Sequence, residues 1–155
     1  MSRPIIKFRG QPIEDYGDIK WFYGSAILDY EEKLAYIDAP GQGLVPVTWD
    51  TVGQIFDFGD REGGELYPGD IVKTIHTKLV DDGIDTDPFC MGQVEEYEKI
   101  GLLEYHCGYS FGPRLRWKKG HMMIPNTSTL WRLKAVKLGN KWDNPDLLKG
   151  DSKDA

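Results

Sequence analysis

The side chains in this 155-residue chain that could do chemistry are few: His76, His106 and His121, the cysteines Cys90 and Cys107, a carboxylate cluster at Asp81, Asp82, Asp85 and Asp87, and a basic run at Arg114-Leu115-Arg116-Trp117-Lys118-Lys119. The histidines and cysteines are the only soft metal ligands. A structural zinc site draws its ligands in tight pairs, Cys-x-x-Cys or His-x-x-x-His, and no such pair occurs. If His106 and Cys107 lie in a strand, they point to opposite faces. Cys107 or Ser110 could be matched with a histidine as nucleophile and base, but no nucleophile elbow or paired His-Glu motif accompanies them. The glycines of Gly59 to Gly64 suggest a phosphate loop, yet no Lys-Ser/Thr follows and no helix starts there, so a hairpin turn is the expectation. The acidic loop Asp81 to Asp87 turns at Gly83 but lacks the alternating oxygen ligands and closing Glu of a calcium loop, and reads as a solvated loop. No catalytic, cofactor or metal residue is assigned, and the expectation is a protein that is not an enzyme.

The basic run is the strongest binding candidate. As a strand, Arg114, Arg116 and Lys118 would share one face, with Leu115 and Trp117 on the other. Cations beside an aromatic can grip a phosphate backbone and stack a base, so Arg114, Arg116, Trp117, Lys118 and Lys119 form the candidate nucleic-acid site. The competing and favoured reading is an exposed strand face whose Trp117 helps build the core and whose charges deter edge pairing. The net charge of −6 works against indiscriminate phosphate binding, so any such contact must be local.

The elements that would position these residues are short strands. Ile5 to Arg9 reads as the first strand, ended by Gly10; Ile19 to Leu28 as the second, with Gly24 marking a bulge or close backbone approach. Leu34 to Ile37 returns antiparallel after Asp29 to Lys33. Pro46 confines Leu44 to Val47 to an edge or irregular loop. Thr51 to Phe58 and Leu66 to Leu79 flank the Gly59 to Gly64 turn, the second starting after a Pro68-Gly69 turn that Asp70 stabilises. Glu95 to Lys99 breaks strict alternation and suggests a helical turn or a connection before Ile100 to Cys107. Thr129 to Leu138 could equally be a helix by its pattern and is read as a late strand because short strands recur elsewhere and Gly139-Asn140 ends it; Asn144-Pro145-Asp146 nucleates one helical turn ended by Gly150.

Together these give a mainly β fold, a small antiparallel barrel or pair of packed sheets with one or two short helices, forming one domain over 1–149 and a disordered tail over 150–155. A hydrophobic share of 40% and an aromatic share of 12% fit a folded globular chain. No stretch approaches the length of a membrane span and the N-terminus has no signal-peptide core, so a cytoplasmic location with two free thiols is expected.

IKFRG at Ile6 to Gly10, WFYGS at Trp21 to Ser25, TVGQ at Thr51 to Gln54, LYPGDIV at Leu66 to Val72 and LGNKWDNPDLL at Leu138 to Leu148 together resemble, in order and spacing, the YopX family of phage and prophage proteins. The chain departs from the family's usual text at Phe56, Phe58 and Pro68, and 82–126 matches least. The resemblance implies a small β-rich protein encoded on a mobile element and acting in its host cell, with no activity to transfer. On this reading the chain is a non-catalytic interaction module whose partner is a host or phage protein, with nucleic-acid binding through the basic run as the alternative. Exposed strand edges leave homo-oligomerisation open.

Overall fold

The computed structural model describes residues 6–80, 93–106, 112–118, 120–124 and 128–149. They form two five-stranded antiparallel sheets. In the first, β1 (Phe8–Gly10), β2 (Phe22–Asp29), β3 (Leu34–Ala39), β4 (Gly43–Val47) and β5 (Gly53–Gln54) lie in the order β4-β3-β2-β1-β5. In the second, β6 (Asp70–Val80), β7 (Gln93–His106), β8 (Gly112–Trp117), β9 (Gly120–Met123) and β10 (Val136–Asn140) lie in the order β10-β6-β7-β8-β9. The sheets pack and do not close into a barrel. Two short helices, α1 (Thr129–Arg132) and α2 (Asp146–Lys149), complete the described elements.

The alternation that sequence reading relies on is visible in the first sheet. Phe22, Ala35, Ile37, Ala39, Val45 and Val47 form one buried cluster, closed over by Phe8, Tyr16, Leu28 and Trp49. β4 is an edge strand, as Pro46 requires. Gly24 is a close approach: a Cβ there would stand 2.1 Å from the Asp38 carbonyl oxygen. The second sheet has its own cluster, Val72, Leu103 and Leu115 covered by Phe56, Phe58, Leu66, Leu130 and Ala135.

Three expectations are corrected. Glu95 to Lys99 is neither helical nor a connection but the middle of β7, paired residue for residue with β6 from Ile71↔Leu102 to Val80↔Gln93. Thr129 to Leu138 is not one strand: α1 ends near Leu133, Lys134 turns the chain at φ 51°, and β10 begins at Val136. Thr51 to Phe58 is strand only at Gly53–Gln54, after a 3₁₀ turn at Trp49–Thr51. The expected ending of α2 at Gly150 and the 150–155 tail lie outside the described residues, as does Ile5.

The sheets are joined by a buried ion pair. Arg9 of β1 and Asp70 of β6 are essentially inaccessible, with Nη1 to Oδ1 at 2.7 Å. Arg9 Nη2 donates to the Pro68 carbonyl at 3.2 Å. The guanidinium carbon lies 4.3 Å from the Trp21 ring centroid, 4.8 Å from Tyr67 and 5.8 Å from Trp142. Asp70 also accepts from the Tyr67 amide through Oδ2, closing the turn that starts β6. In that turn Gly69 has φ 96°, and a Cβ there would stand 2.3 Å from the Trp142 ring. Asp143 ties the C-terminal segment in, accepting from Gln11 Nε2 at 2.8 Å, Trp21 Nε1 at 2.8 Å and Asn140 Nδ2 at 3.0 Å.

Removing one member of a buried pair leaves an uncompensated charge, which costs about 3–5 kcal/mol. Asp70→Asn is therefore expected to lower the unfolding free energy by about that amount in urea titrations, and Arg9→Met with Asp70→Asn to cost less than the sum of the two single changes. For Asp143, burial alone would raise the carboxyl pKa, but the hydrogen bonds from Trp21, Asn140 and Gln11 and the charge of Arg9 outweigh it and hold the group below its ordinary 3.8. A carboxylate depressed in the folded state stabilises above its unfolded pKa and loses that contribution as pH falls through the folded value. Asp143→Asn should accordingly melt below wild type at neutral pH, with the difference closing as pH falls beneath 3.8.

Candidate functional site

The candidate basic run is divided by the strand that carries it. Leu102 pairs with Arg116 and Glu104 with Arg114, placing both arginines on one face of β8 and Leu115 and Trp117 on the other, as alternation requires. The arginines meet a carboxylate that spacing along β8 could not reveal. Arg114 Nε donates to Glu104 Oε1 at 2.8 Å, and Arg116 Nε lies 3.0 Å from the same oxygen. Lys118 is exposed in the turn after β8, and Lys119 lies outside the described residues.

On the opposite face of the second sheet, three strands bring together an arrangement not singled out from the sequence. His76 of β6 stands directly opposite Tyr97 of β7, ring centroids 5.5 Å apart and 28° from parallel. His76 also meets Trp117 of β8 edge-on at 5.1 Å. Lys99 Nζ lies 4.6 Å from the Trp117 ring centroid and 5.6 Å from that of Tyr97, and Lys78 Nζ lies 5.8 Å from Tyr97 on the other side. His76, Tyr97, Lys99 and Trp117 are half-buried and Lys78 is exposed. Among the described residues neither Lys78 nor Lys99 has a carboxylate partner, whereas Lys73 on the other face pairs with Glu98. Trp117 rests on the edge of the core, with its Nε1 buried and without an acceptor. Thr74 Oγ1 lies 2.7 Å from His76 Nε2 and 3.4 Å from the Lys99 carbonyl, fixing the imidazole plane. The signal was present in Thr74-Ile75-His76-Thr77-Lys78 and Glu95-Glu96-Tyr97-Glu98-Lys99, whose alternate residues meet only once β6 and β7 pair.

The glycine turn is closed on itself. Asp60 Oδ1 accepts the amides of Glu62 and Gly64 at 2.9 and 2.8 Å, and Asp60 N donates back to the Gly64 carbonyl at 3.1 Å. The amides that a phosphate would need are given to a carboxylate, and the turn is a hairpin with Gly59 bridged to Glu65.

The first sheet presents a different surface. On the face opposite its core, Ile27, Tyr36 and Pro46 stand side by side across β2, β3 and β4, with Leu34 and Leu44 flanking and Ile13 bonded next to Pro46. Ile27 is 52%, Leu44 56% and Ile13 63% exposed. This face of the three strands carries Asp29 and Asp38 and no Lys or Arg. Between the sheets, a cleft of about 680 Å³ is lined by Gly53, Gln54, Phe56, Pro68, Tyr105 and Pro113 among others.

Among the described residues no cluster of His, Cys, Asp and Glu could hold a metal ion, and no helix is long and apolar enough to cross a membrane. Cys90, Cys107, Ser110 and the Asp81 to Asp87 loop lie outside those residues, as does the His106 side chain. Comparison with family models, curated proteins and solved structures finds no match.

Burial, and then the charge of Lys99, lower the His76 pKa below its ordinary 6.5. At neutral pH His76 therefore contributes a ring and not a charge. A proton NMR titration should place its midpoint below 6.5, and Lys99→Gln should move that midpoint up.

Proposed function

We propose that the chain is a non-catalytic interaction module, encoded on a phage or prophage and acting on a protein of the host cell, and that the exposed face of the first sheet is where that partner docks. The observation that carries the reading is the apolar row Ile27, Tyr36, Pro46 and Ile13, continued by Leu34 and Leu44. Apolar side chains grouped on one face mark a contact site more often than isolated exposed ones do. Asp38 beside Leu44 and Asp29 beside Leu34, with no cation on these three strands, suit a partner that sets apolar groups on the Ile27–Pro46 row and basic groups next to it.

The mobile-element origin rests on the resemblance to the YopX family. Its support in the fold is that the resembling segments, distant in sequence, meet around one buried group. IKFRG supplies Arg9, WFYGS supplies Trp21, LYPGDIV supplies Tyr67 and Asp70, and LGNKWDNPDLL supplies Asn140, Trp142 and Asp143. TVGQ adds Gly53, the β5 residue opposite Arg9. Segments that build a structural joint speak for a shared fold rather than a shared activity, which agrees with an adaptable binding scaffold.

Ile27→Lys with Leu44→Lys leaves the core untouched and places two cations in the row. Tagged wild type should retain a stoichiometric protein from a lysate of the bacterium carrying the element, and the double variant should lose it at unchanged melting temperature. Equal retention by both proteins would rule this face out, and sedimentation of the purified chain as a dimer that the double variant dissolves would assign it to self-association.

A further inference from the structure

We propose that the part of the β6–β7–β8 face lying beyond the core binds single-stranded nucleic acid, with bases stacking on Tyr97 and Trp117 and phosphates held by Lys78 and Lys99. Three observations converge on this. First, the rings come from adjacent strands and stand on one face: His76 opposite Tyr97, and Trp117 against His76. Adjacent strands are about 4.8 Å apart, so the rings form a platform wide enough for more than one base. Every base has a π-face, so such a platform is indifferent to sequence.

Second, both cations of the platform lie against its rings, and among the described residues neither is neutralised by a carboxylate. The charged residues on the reverse face do have such partners, Arg114 and Arg116 on Glu104 and Lys73 on Glu98. A lysine is a hydrated point charge on a flexible stem. An exposed cation–π contact is weaker than base–aromatic stacking, so each amine can turn outward to a phosphate and yield its ring face to a base. Third, the rings are half-buried at the margin of the core: Trp117 packs against it, and His76 and Tyr97 extend the same face beyond it. Val72, Leu103 and Leu115 complete the core on this face, and the platform continues past it.

The chain's overall charge of −6, and Glu95 opposite Lys78, bound the strength of this interaction. Two phosphate contacts on a single strand give a salt slope of only about −1.4 in log K against log salt. A duplex hides its base faces and should bind more weakly than either strand. This site differs from the basic run: it shares Trp117 with it but takes its cations from β6 and β7, on the opposite side of the sheet from Arg114 and Arg116.

The test is fluorescence anisotropy with labelled dodecathymidylate and its RNA counterpart at about 20 mM salt, where electrostatic contacts are least screened. Wild type should bind both single strands more tightly than a duplex of equal length. Lys78→Glu with Lys99→Glu, and separately Tyr97→Ser, should each weaken binding by at least about tenfold. Arg116→Gln, on the reverse face, should bind within twofold of wild type. If the double charge reversal lowers the melting temperature, Lys99→Gln supplies the same comparison with a smaller change. Absence of binding at low salt, equal affinity for the duplex, or loss of binding on Arg116→Gln but not on the Lys78 and Lys99 changes would each overturn the assignment. The Ile27→Lys, Leu44→Lys protein should bind the oligonucleotides at least as well as wild type, so failure here is distinct from failure of the protein-docking face.

Discussion

The contact between Arg9 and Asp70 is the constraint on which the arrangement of the two sheets depends. Each sheet has its own hydrophobic cluster. What they share is the Arg9 guanidinium, which is buried against Asp70 at 2.7 Å, while Asp70 has a second and more distant cation in Lys137 of its own sheet, at 3.5 Å. Arg9 belongs to β1 and Asp70 to β6, and the rings enclosing the guanidinium come from Trp21 before β2, Tyr67 before β6 and Trp142 after β10. Only a guanidinium serves here, because its flat faces stack on rings while its edge meets a carboxylate. Measured against a well-packed apolar replacement, such a pair brings little net stability. Its value is selective: a sheet docked one residue out of register would strand a buried cation, so the alternatives are penalised more than the native state is rewarded.

That selectivity explains why the turn before β6 is built so tightly. Asp70 cannot reach Arg9 unless Pro68 and Gly69 turn the chain within two residues, and Trp142 cannot close over the site unless position 69 lacks a side chain. The acidic side chain that looked from the sequence like a turn former is one, through its bond to the Tyr67 amide. Its second oxygen faces Arg9, a partner 61 residues away that no local pattern announces.

Much of the fold was legible for a comparable reason, and the rest was not. β2 and β3 alternate in burial because one face of each is buried, and Pro40-Gly41 mark the turn into β4. β7 was misread where it leaves the core: from Glu95 to Lys99 both faces carry polar side chains, so alternation carries no contrast although pairing continues. Thr129 to Leu138 was misread because α1 and β10 abut across a left-handed Lys134, and their combined text mimics a single amphipathic strand. The two faces of β8 followed correctly from the order of Arg114, Leu115, Arg116 and Trp117. Glu104 was invisible beside them, since it lies on the neighbouring strand, and its carboxylate changes a basic stripe into a largely compensated one.

The same geometry accounts for the aromatic platform. β7 has 14 residues, about 45 Å of strand, while Gly101, Leu102 and Leu103, the buried ones among those whose side chains are described, lie toward one end. Among the described residues the β6–β7 pair thus outruns the hydrophobic layer beneath it. Cross-strand contacts stabilise such a segment, and aromatic pairs with lysine stems laid over them are well suited to a half-exposed surface. Those contacts hold the strands in register by using ring faces and flexible cations, which are also the groups that an unpaired base and its phosphate can engage. What stabilises the overhang in isolation is therefore what a single strand would compete for.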